Sequence, residues 1–165
     1  MALGDGVVDL NPTSGLYTPA CKSPAEKQVM SREDIMLALK TLDLRERLIF
    51  RMAVFDGMRP GEILAIRAGN ISDLSILISQ RLYKGNLDSP KGRKGKRTSR
   101  IVALSPGTKA DLPEWCNRLG KRPSDAFLFP SHNLRTPMRR DNLWYRCIRP
   151  RLKPVGFGLG NVPGT

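Results

Sequence analysis

The spacing of apolar residues between residues 31 and 67 predicts three consecutive helices. Ser31 supplies a hydroxyl cap before an acidic first turn, Gly57 permits the positive φ that ends the second helix, and Pro60 suits the first turn of the third. The residues expected on the buried faces are, in chain order, Ile35, Leu39 and Leu42; then Leu44, Leu48, Met52 and Phe55; then Ile63, Leu64 and Ile66. The chain is therefore expected to begin its ordered part with a helical layer.

After Asn70 the pattern changes to short, β-branched runs that favour strands. Residues 71–79, 81–83 and 100–104 predict about three antiparallel strands. The residues between them, 84–99, are rich in Gly and Lys and predict a long, exposed hairpin loop.

Helical spacing returns in the last third of the chain. One helix is predicted over residues 112–119, with Pro113 in its first turn, and another over residues 141–152, which Pro150 should kink or end. The apolar run 126–129 fits either a strand or a buried connector. Helices, then a small three-stranded antiparallel sheet, then further helices make an α+β fold, because βαβ units are missing from the pattern.

Composition divides the chain into three segments. Residues 1–30 are rich in Gly, Pro, Ser and Thr and predict an extended arm or linker. Residues 31–153 predict one domain, and residues 154–165, rich in Gly and Pro, predict a disordered tail.

Charge narrows the class of partner. The chain has 28 Lys and Arg against 15 Asp and Glu, a formal net charge of +13. A field this positive attracts polyanions, and nucleic acid is preferred to an anionic membrane or a ribosomal partner. A basic surface without a specific ligand stays open on charge alone.

Several other classes are disfavoured. The sequence has neither an apolar run long enough to span a bilayer nor a signal peptide, so a cytoplasmic protein without a membrane partner is expected. The three cysteines, Cys21, Cys116 and Cys147, are scattered, as is the single histidine, His132. Because their spacing fits no zinc site, we expect reduced thiols, no metal and no cofactor.

The segment from Gly57 to Glu62 is the first candidate for chemistry. Arg59 stands between two predicted helices with glycines nearby, and Glu62 lies three residues later, within reach of it. An arginine held by a carboxylate at a helix start suits phosphate binding, because the guanidinium is a planar fork of donors. The same residues also fit a capped helix start with an ordinary surface ion pair, and both interpretations stay open.

Two basic clusters are candidate DNA contacts. Residues 91–100 hold six basic residues and no acid, which suits a loop lying along phosphates; a basic loop without a partner is the alternative. Its candidate contacts, beyond Lys91, are Arg93, Lys94, Lys96, Arg97 and Arg100. The second cluster comprises Arg135, Arg139, Arg140, Arg146, Arg149, Arg151 and Lys153, interleaved with Trp144 and Tyr145. In it, Arg139 and Arg140 are expected to contact DNA, and Trp144 is expected in the core.

Taken in order from about Ser31 to Phe157, these segments resemble the catalytic domain of the tyrosine recombinase (phage integrase) family. The stretch around Arg59 is similar to the family's first arginine box, usually Gly-x-Arg-x-x-Glu. Residues 81–107 are similar to the hairpin that carries the catalytic lysine, and residues 127–146 to the following connector and helix. The resemblance implies a partial DNA breaking-rejoining domain that binds double-stranded DNA.

The resemblance also implies roles for individual residues. Arg59 matches the arginine that clamps the scissile phosphate, and Glu62 the acid that orients it. Lys91 is the preferred match for the lysine that protonates the leaving 5′ oxygen. Alignment backwards from Arg100 nominates Lys94 instead, so both lysines stay candidates.

The family's second box, His-x-x-Arg, and its nucleophilic tyrosine have no counterpart after Phe157, and Tyr17, Tyr83 and Tyr145 fall elsewhere. The resemblance therefore implies a truncated domain of a mobile element, a DNA-binding remnant without strand cleavage on its own. The alternatives are a regulatory or accessory DNA-binding module and a basic RNA-binding domain. Apolar surface exposed by truncation is expected to favour a homo-oligomer.

Overall fold

The computed structural model describes residues 29–90 and 99–156. The predicted arm at residues 1–28, most of the predicted tail and part of the basic loop lie outside the described residues. The candidate site residues in that part of the loop are Lys91, Arg93, Lys94, Lys96 and Arg97.

The three predicted N-terminal helices are confirmed as α1 (Arg32–Thr41), α2 (Leu44–Val54) and α3 (Pro60–Leu64). Ser31 caps α1 reciprocally: its Oγ accepts from the Asp34 N–H at 3.1 Å, and its own N–H donates to the Asp34 carboxylate at 2.9 Å. Capping of this kind satisfies backbone donors that have no partner inside the helix.

Most of the predicted core of these helices is buried. Two residues differ from the expectation: Ile35 is half-buried, and Phe55 is 51% exposed. Phe55 is the C-cap of α2, immediately after the last helical residue, Val54. Gly57 then takes a φ of 65° as the chain leaves the helix.

Four short strands form two separate antiparallel pairs in the described part of the chain. They are β1 (Ser75–Ile78), β2 (Arg81–Tyr83), β3 (Asn86–Asp88) and β4 (Arg100–Ala103), with β1 paired to β4 and β2 to β3. The α+β class is confirmed, but the arrangement differs from the single three-stranded sheet that we expected.

The additional strand, β3, lies inside the segment predicted as a loop. Lys84 and Gly85 have φ values of 48° and 85°, the positive φ at both central residues that a type I′ hairpin turn requires. The turn folds Asn86–Asp88 back onto β2. The pairing was not predicted because backbone hydrogen bonds form it, and the polar side chains of β3 stay exposed.

The fourth helix is longer than predicted. Instead of residues 112–119, α4 spans Pro106–Leu119. Pro106 occupies the first turn, and the preceding Ser105 N–H donates to the Asp56 carboxylate at 2.8 Å. Pro113 therefore lies inside the helix, not in its first turn.

The apolar run 126–129 is a buried connector. Its backbone is hydrogen-bonded to the residues that follow α3. The Leu128 N–H donates to the Ile66 carbonyl at 2.8 Å, and the Ala68 N–H donates to the Ala126 carbonyl at 2.8 Å. Phe129 is fully buried in the core.

The last helical segment has three consecutive parts: α5 (Arg140–Asn142), a π-helical part (Leu143–Ile148) and α6 (Arg149–Leu152). Pro150 was expected to kink or end this helix, but helical structure continues past it. In the widened π turn the Arg149 N–H bonds to the Trp144 carbonyl, immediately before the proline. A further 3-10 turn, Lys153–Val155, extends into the first residues of the predicted tail.

Buried ion pairs join α2 to the C-terminal helices. Glu46 is buried and is bonded by Arg45 at 2.5 Å and by Arg151 of α6 at 3.2 Å. Asp111 of α4 accepts hydrogen bonds from Arg47, the closer at 2.9 Å, and forms an ion pair with Arg51, whose Nε lies 2.9 Å from Oδ2. Because buried carboxylates require such partners, these arginines connect α2 to α4 and to α6 beside the apolar core.

Candidate nucleic-acid interface

Arg59 and Glu62 meet at the start of α3, as predicted from their spacing. The backbone N–H of Arg59 donates to Glu62 Oε2 at 3.0 Å, and its side-chain Nη1 lies 3.4 Å from Oε1. The Glu62 side chain is 2% exposed, whereas that of Arg59 is 69% exposed. The backbone of Arg59 is therefore fixed while its guanidinium faces solvent.

A second arginine, Arg100 of β4, joins the same carboxylate. Its Nη2 lies 2.7 Å from Glu62 Oε2 and 3.4 Å from the carbonyl oxygen of Gly57. Burial opposes ionisation of Glu62, but the hydrogen bonds from the Arg59 N–H and the Arg100 side chain outweigh it, so the pKa of Glu62 is lowered. Glu62 is thus held as an anion between two arginines.

Gly61 brings the β2–β3 hairpin against α3. A Cβ at this position would lie only 2.5 Å from the Leu82 carbonyl oxygen, so the two backbones approach more closely than any side chain permits. Pro90, at the end of the hairpin, is buried. The position of Lys91, the next residue, relative to Arg59 stays a prediction.

Arg139 and Arg140 lie at the start of α5, which packs beside α3. Both are exposed. Arg140 has a loose ion pair with Asp141 at 3.6 Å, and within residues 29–90 and 99–156 no carboxylate lies within 4.0 Å of Arg139. The start of α5 therefore adds exposed positive charge near the element that presents Arg59.

The rest of the second basic cluster divides into structural and exposed cations. Arg151 bonds Asp43 and Glu46, so it belongs to the core ion pairs. Arg149 is exposed, and its guanidinium lies 5.9 Å from the ring centroid of the exposed Tyr145. Trp144 is half-buried and packs on the core, as expected.

Arg100 and its partner were not linked by the sequence reasoning, although a signal was present. Val102 and Leu104 lie two and four residues after Arg100, at the same alternate positions along β4 and its extension, and both are buried. The period of two therefore places Arg100 on the inward side of the strand, where an arginine requires a carboxylate.

His132 lies in an exposed turn, as predicted. Arg135, three residues later, gives the spacing His-x-x-Arg. No hydrogen bond between described residues joins either of them to Arg59 or Glu62. Their turn is organised by Asn133, whose Oδ1 accepts from the Arg135 N–H at 3.0 Å.

Metal-binding groups are not assembled in the part of the chain that the structure describes, where no cluster of three or more His, Cys, Asp or Glu residues occurs. Cys116 and Cys147 are free thiols, and burial raises the pKa of Cys116. No helix among these residues is both long and apolar enough to cross a bilayer.

Comparison with solved structures identifies the fold. The chain is similar to XerA recombinase, with 21% identity and a TM-score of 0.62 over 85% of this chain and 47% of that one. It is similar to the Tn1549 transposon integrase in complex with circular intermediate DNA, with 18% identity and a TM-score of 0.64 over 85% of this chain and 51% of that one.

The chain thus spans about half the length of these structures. At such identities the likeness shows a shared fold, that of recombinase and integrase domains. No protein-family model and no curated protein sequence matches the chain.

Proposed function

We propose that the chain is a recombinase-related protein that binds double-stranded DNA, with residues 31–153 as the binding unit. The observation that carries the proposal is the exposed Arg59 guanidinium, whose backbone is fixed by the buried Glu62. Arg59 grips a backbone phosphate, and Glu62 sets its position. The fold shared with an integrase solved on DNA supports this role.

Further contacts come from the two basic segments. The exposed Arg139 and Arg140 bind phosphates beside Arg59. The loop residues Arg93, Lys94, Lys96 and Arg97 add further phosphate contacts, and Lys91, or alternatively Lys94, takes the place of the family's lysine. A net charge of +13 supports a binding mode dominated by phosphates.

The proposal includes binding without strand cleavage by this polypeptide on its own. Tyr17, Tyr83 and Tyr145 do not fall where the resemblance places the family's nucleophile, and without a nucleophile the covalent step has no route. A suicide duplex that traps covalent intermediates tests this point. A protein–DNA adduct stable to denaturation would overturn it.

Binding is tested by fluorescence anisotropy with duplex DNA and with duplex RNA of the same sequence, over a range of salt concentrations. We expect preference for DNA and a steep loss of affinity with salt. Arg59→Ala is expected to weaken binding about tenfold and to reduce the salt slope by about one. Equal or tighter binding to RNA favours an RNA-binding domain instead.

The matched control is Arg118→Ala. Arg118 is also an exposed arginine, and it lies in α4, where it is paired with Glu114. The substitution removes the same charge away from α3 and is expected to leave the affinity within about twofold of the original. Thermal unfolding of both variants separates lost binding from lost structure; an unfolded Arg59→Ala variant would assign Arg59 to the fold.

A further inference from the structure

Arg100 connects the β1–β4 pair to the segment that carries Arg59. It is the first residue of β4, paired in register with Ile78 of β1. Its side chain is 43% exposed and reaches away from the strand to the segment that presents Arg59.

The contacts of Glu62 define a competition between two guanidinium groups. Oε2 accepts from Arg100 Nη2 at 2.7 Å and from the Arg59 backbone N–H at 3.0 Å. The Arg59 guanidinium is held only at the other oxygen, Oε1, at the longer distance of 3.4 Å. Arg100 therefore supplies the close charge-assisted bond to the carboxylate, and Arg59 supplies a weak one.

Arg100 also braces the other end of the same turn. The Nη2 that bonds Glu62 lies 3.4 Å from the Gly57 carbonyl oxygen. One side chain thus bridges the residues on both sides of Arg59 and limits how far the turn can shift.

We propose that Arg100 is a positioning residue: it neutralises Glu62 and braces the turn at Gly57, which leaves the Arg59 guanidinium free to bind phosphate. The inference rests on the proposed function of Arg59. Without Arg100, the buried Glu62 carboxylate has Arg59 as its remaining guanidinium, because a buried anion requires a cationic or hydrogen-bonding partner. Arg59 is then drawn towards Glu62 and away from DNA.

The test is an epistasis experiment on duplex DNA binding, measured by anisotropy. Arg100→Gln is expected to weaken binding about tenfold, the effect of losing one charge-assisted contact. In an Arg59→Ala background the same substitution is expected to have no further effect, because its action passes through Arg59. In an Arg140→Gln background, which leaves Arg59 intact, the full loss is expected.

Two variants separate positioning from simple loss of charge or structure. Glu62→Gln is expected to restore part of the affinity lost in Arg100→Gln, because a neutral amide no longer draws Arg59 inward. Arg100→Lys, which keeps a cation in reach of Glu62, is expected to retain most of the affinity even if Arg100→Gln is too unstable to measure. In the folded Arg100→Gln variant, a carboxyl NMR titration is expected to show a higher pKa for Glu62 than in the original protein.

The outcomes distinguish the inference from the proposed function. Suppose that Arg59→Ala weakens binding and that Arg100→Gln weakens it equally in the Arg59→Ala and Arg140→Gln backgrounds. Arg100 then contacts DNA directly and the inference is wrong, while the proposed function stands. If Arg59→Ala has no effect on binding, both are wrong. If Glu62→Gln worsens the Arg100→Gln defect, competition for the carboxylate is excluded.

Discussion

A buried carboxylate must be matched by donors, and Glu62 has three: the Arg59 N–H, the Arg59 guanidinium and the Arg100 guanidinium. Two of the three were foreseeable from the spacing of Arg59 and Glu62. Arg100, 38 residues away along the chain, was not linked to them. At the scale of the residue, one carboxylate therefore joins the start of a helix to the start of a strand.

Ionisation of Glu62 is expected to make stability depend on pH. Because its pKa is lower in the folded protein than in the unfolded chain, its contribution is present above the ordinary pKa of glutamate. That contribution is lost as the pH falls through the lowered pKa. Urea unfolding across the acidic range should show a shallower fall of the unfolding free energy for Glu62→Gln than for the original protein. Parallel curves would contradict the assignment.

Gly61 gives a second prediction at this scale. A methyl group there would meet the Leu82 carbonyl oxygen at 2.5 Å, and that oxygen belongs to backbone that cannot move aside as a flexible side chain would. Gly61→Ala is expected to lower the unfolding free energy by about 1–3 kcal/mol, as overpacking does. Denaturant unfolding measures the change. A neutral substitution would show that α3 and the hairpin separate easily.

Among the elements, the β2–β3 hairpin shows how a turn can create a strand that side-chain patterns do not predict. Its strands are only three residues each, and those of β3 are all exposed. Its connection, Lys84-Gly85, takes positive φ at both residues. Since Gly61 packs on its backbone, the hairpin lies against the helix whose start carries Arg59.

Opposite substitutions in this turn should have opposite effects on stability. Lys84→Asn is expected to stabilise the protein by about 0.5 kcal/mol, because asparagine tolerates a positive φ and Asn-Gly favours this turn. Gly85→Ala is expected to destabilise it by about 1 kcal/mol, because alanine at a φ of 85° is strained. Thermal unfolding compares the pair; the same sign for both would rule out turn conformation as the cause.

Over the whole molecule, buried ion pairs connect residues that are far apart in the chain. Glu46 and Arg151 are separated by 105 residues, and their contact fixes α6 against α2. The sequence placed Arg151 in a basic cluster, but the fold uses it as a structural partner. Positive charge counted along the chain therefore overstates the charge that is available to a ligand.

Removal of Glu46 should be costly at this scale. Glu46→Ala takes the shared carboxylate from Arg45 and Arg151 and is expected to lower the unfolding free energy by about 3 kcal/mol. The matched control is Glu114→Ala, which removes the same side chain from an exposed pair with Arg118 and is expected to cost less than about 1 kcal/mol. Equal decreases in the unfolding free energy of the two variants would show that the Glu46 ion pairs stabilise the fold no more than an exposed pair does.

Self-association is a separate property of the whole molecule, and the expected homo-oligomer stays a prediction. Leu77 and Ile101 lie opposite each other on the outer face of the β1–β4 pair, and both are exposed. Sedimentation velocity at several protein concentrations would reveal an oligomer. A monomer at all concentrations would contradict the expectation.

The sequence by itself determined what depends on local spacing. The period of apolar residues and the capping residues defined α1, α2 and α3, and the separation of Arg59 from Glu62 by one helical turn defined their contact. These predictions succeeded because hydrogen bonds and side-chain contacts between near neighbours depend little on the rest of the chain.

Only the tertiary structure decided which cations are structural and which are exposed. Arg100 and Arg151 meet Glu62 and Glu46 across 38 and 105 residues, and packing of the strands and helices alone creates those contacts. Each carboxylate requires cationic or hydrogen-bonding partners because it is buried, and burial is a property of the folded chain. The pairing of β2 with β3 belongs here too, since backbone hydrogen bonds leave no pattern in the side chains.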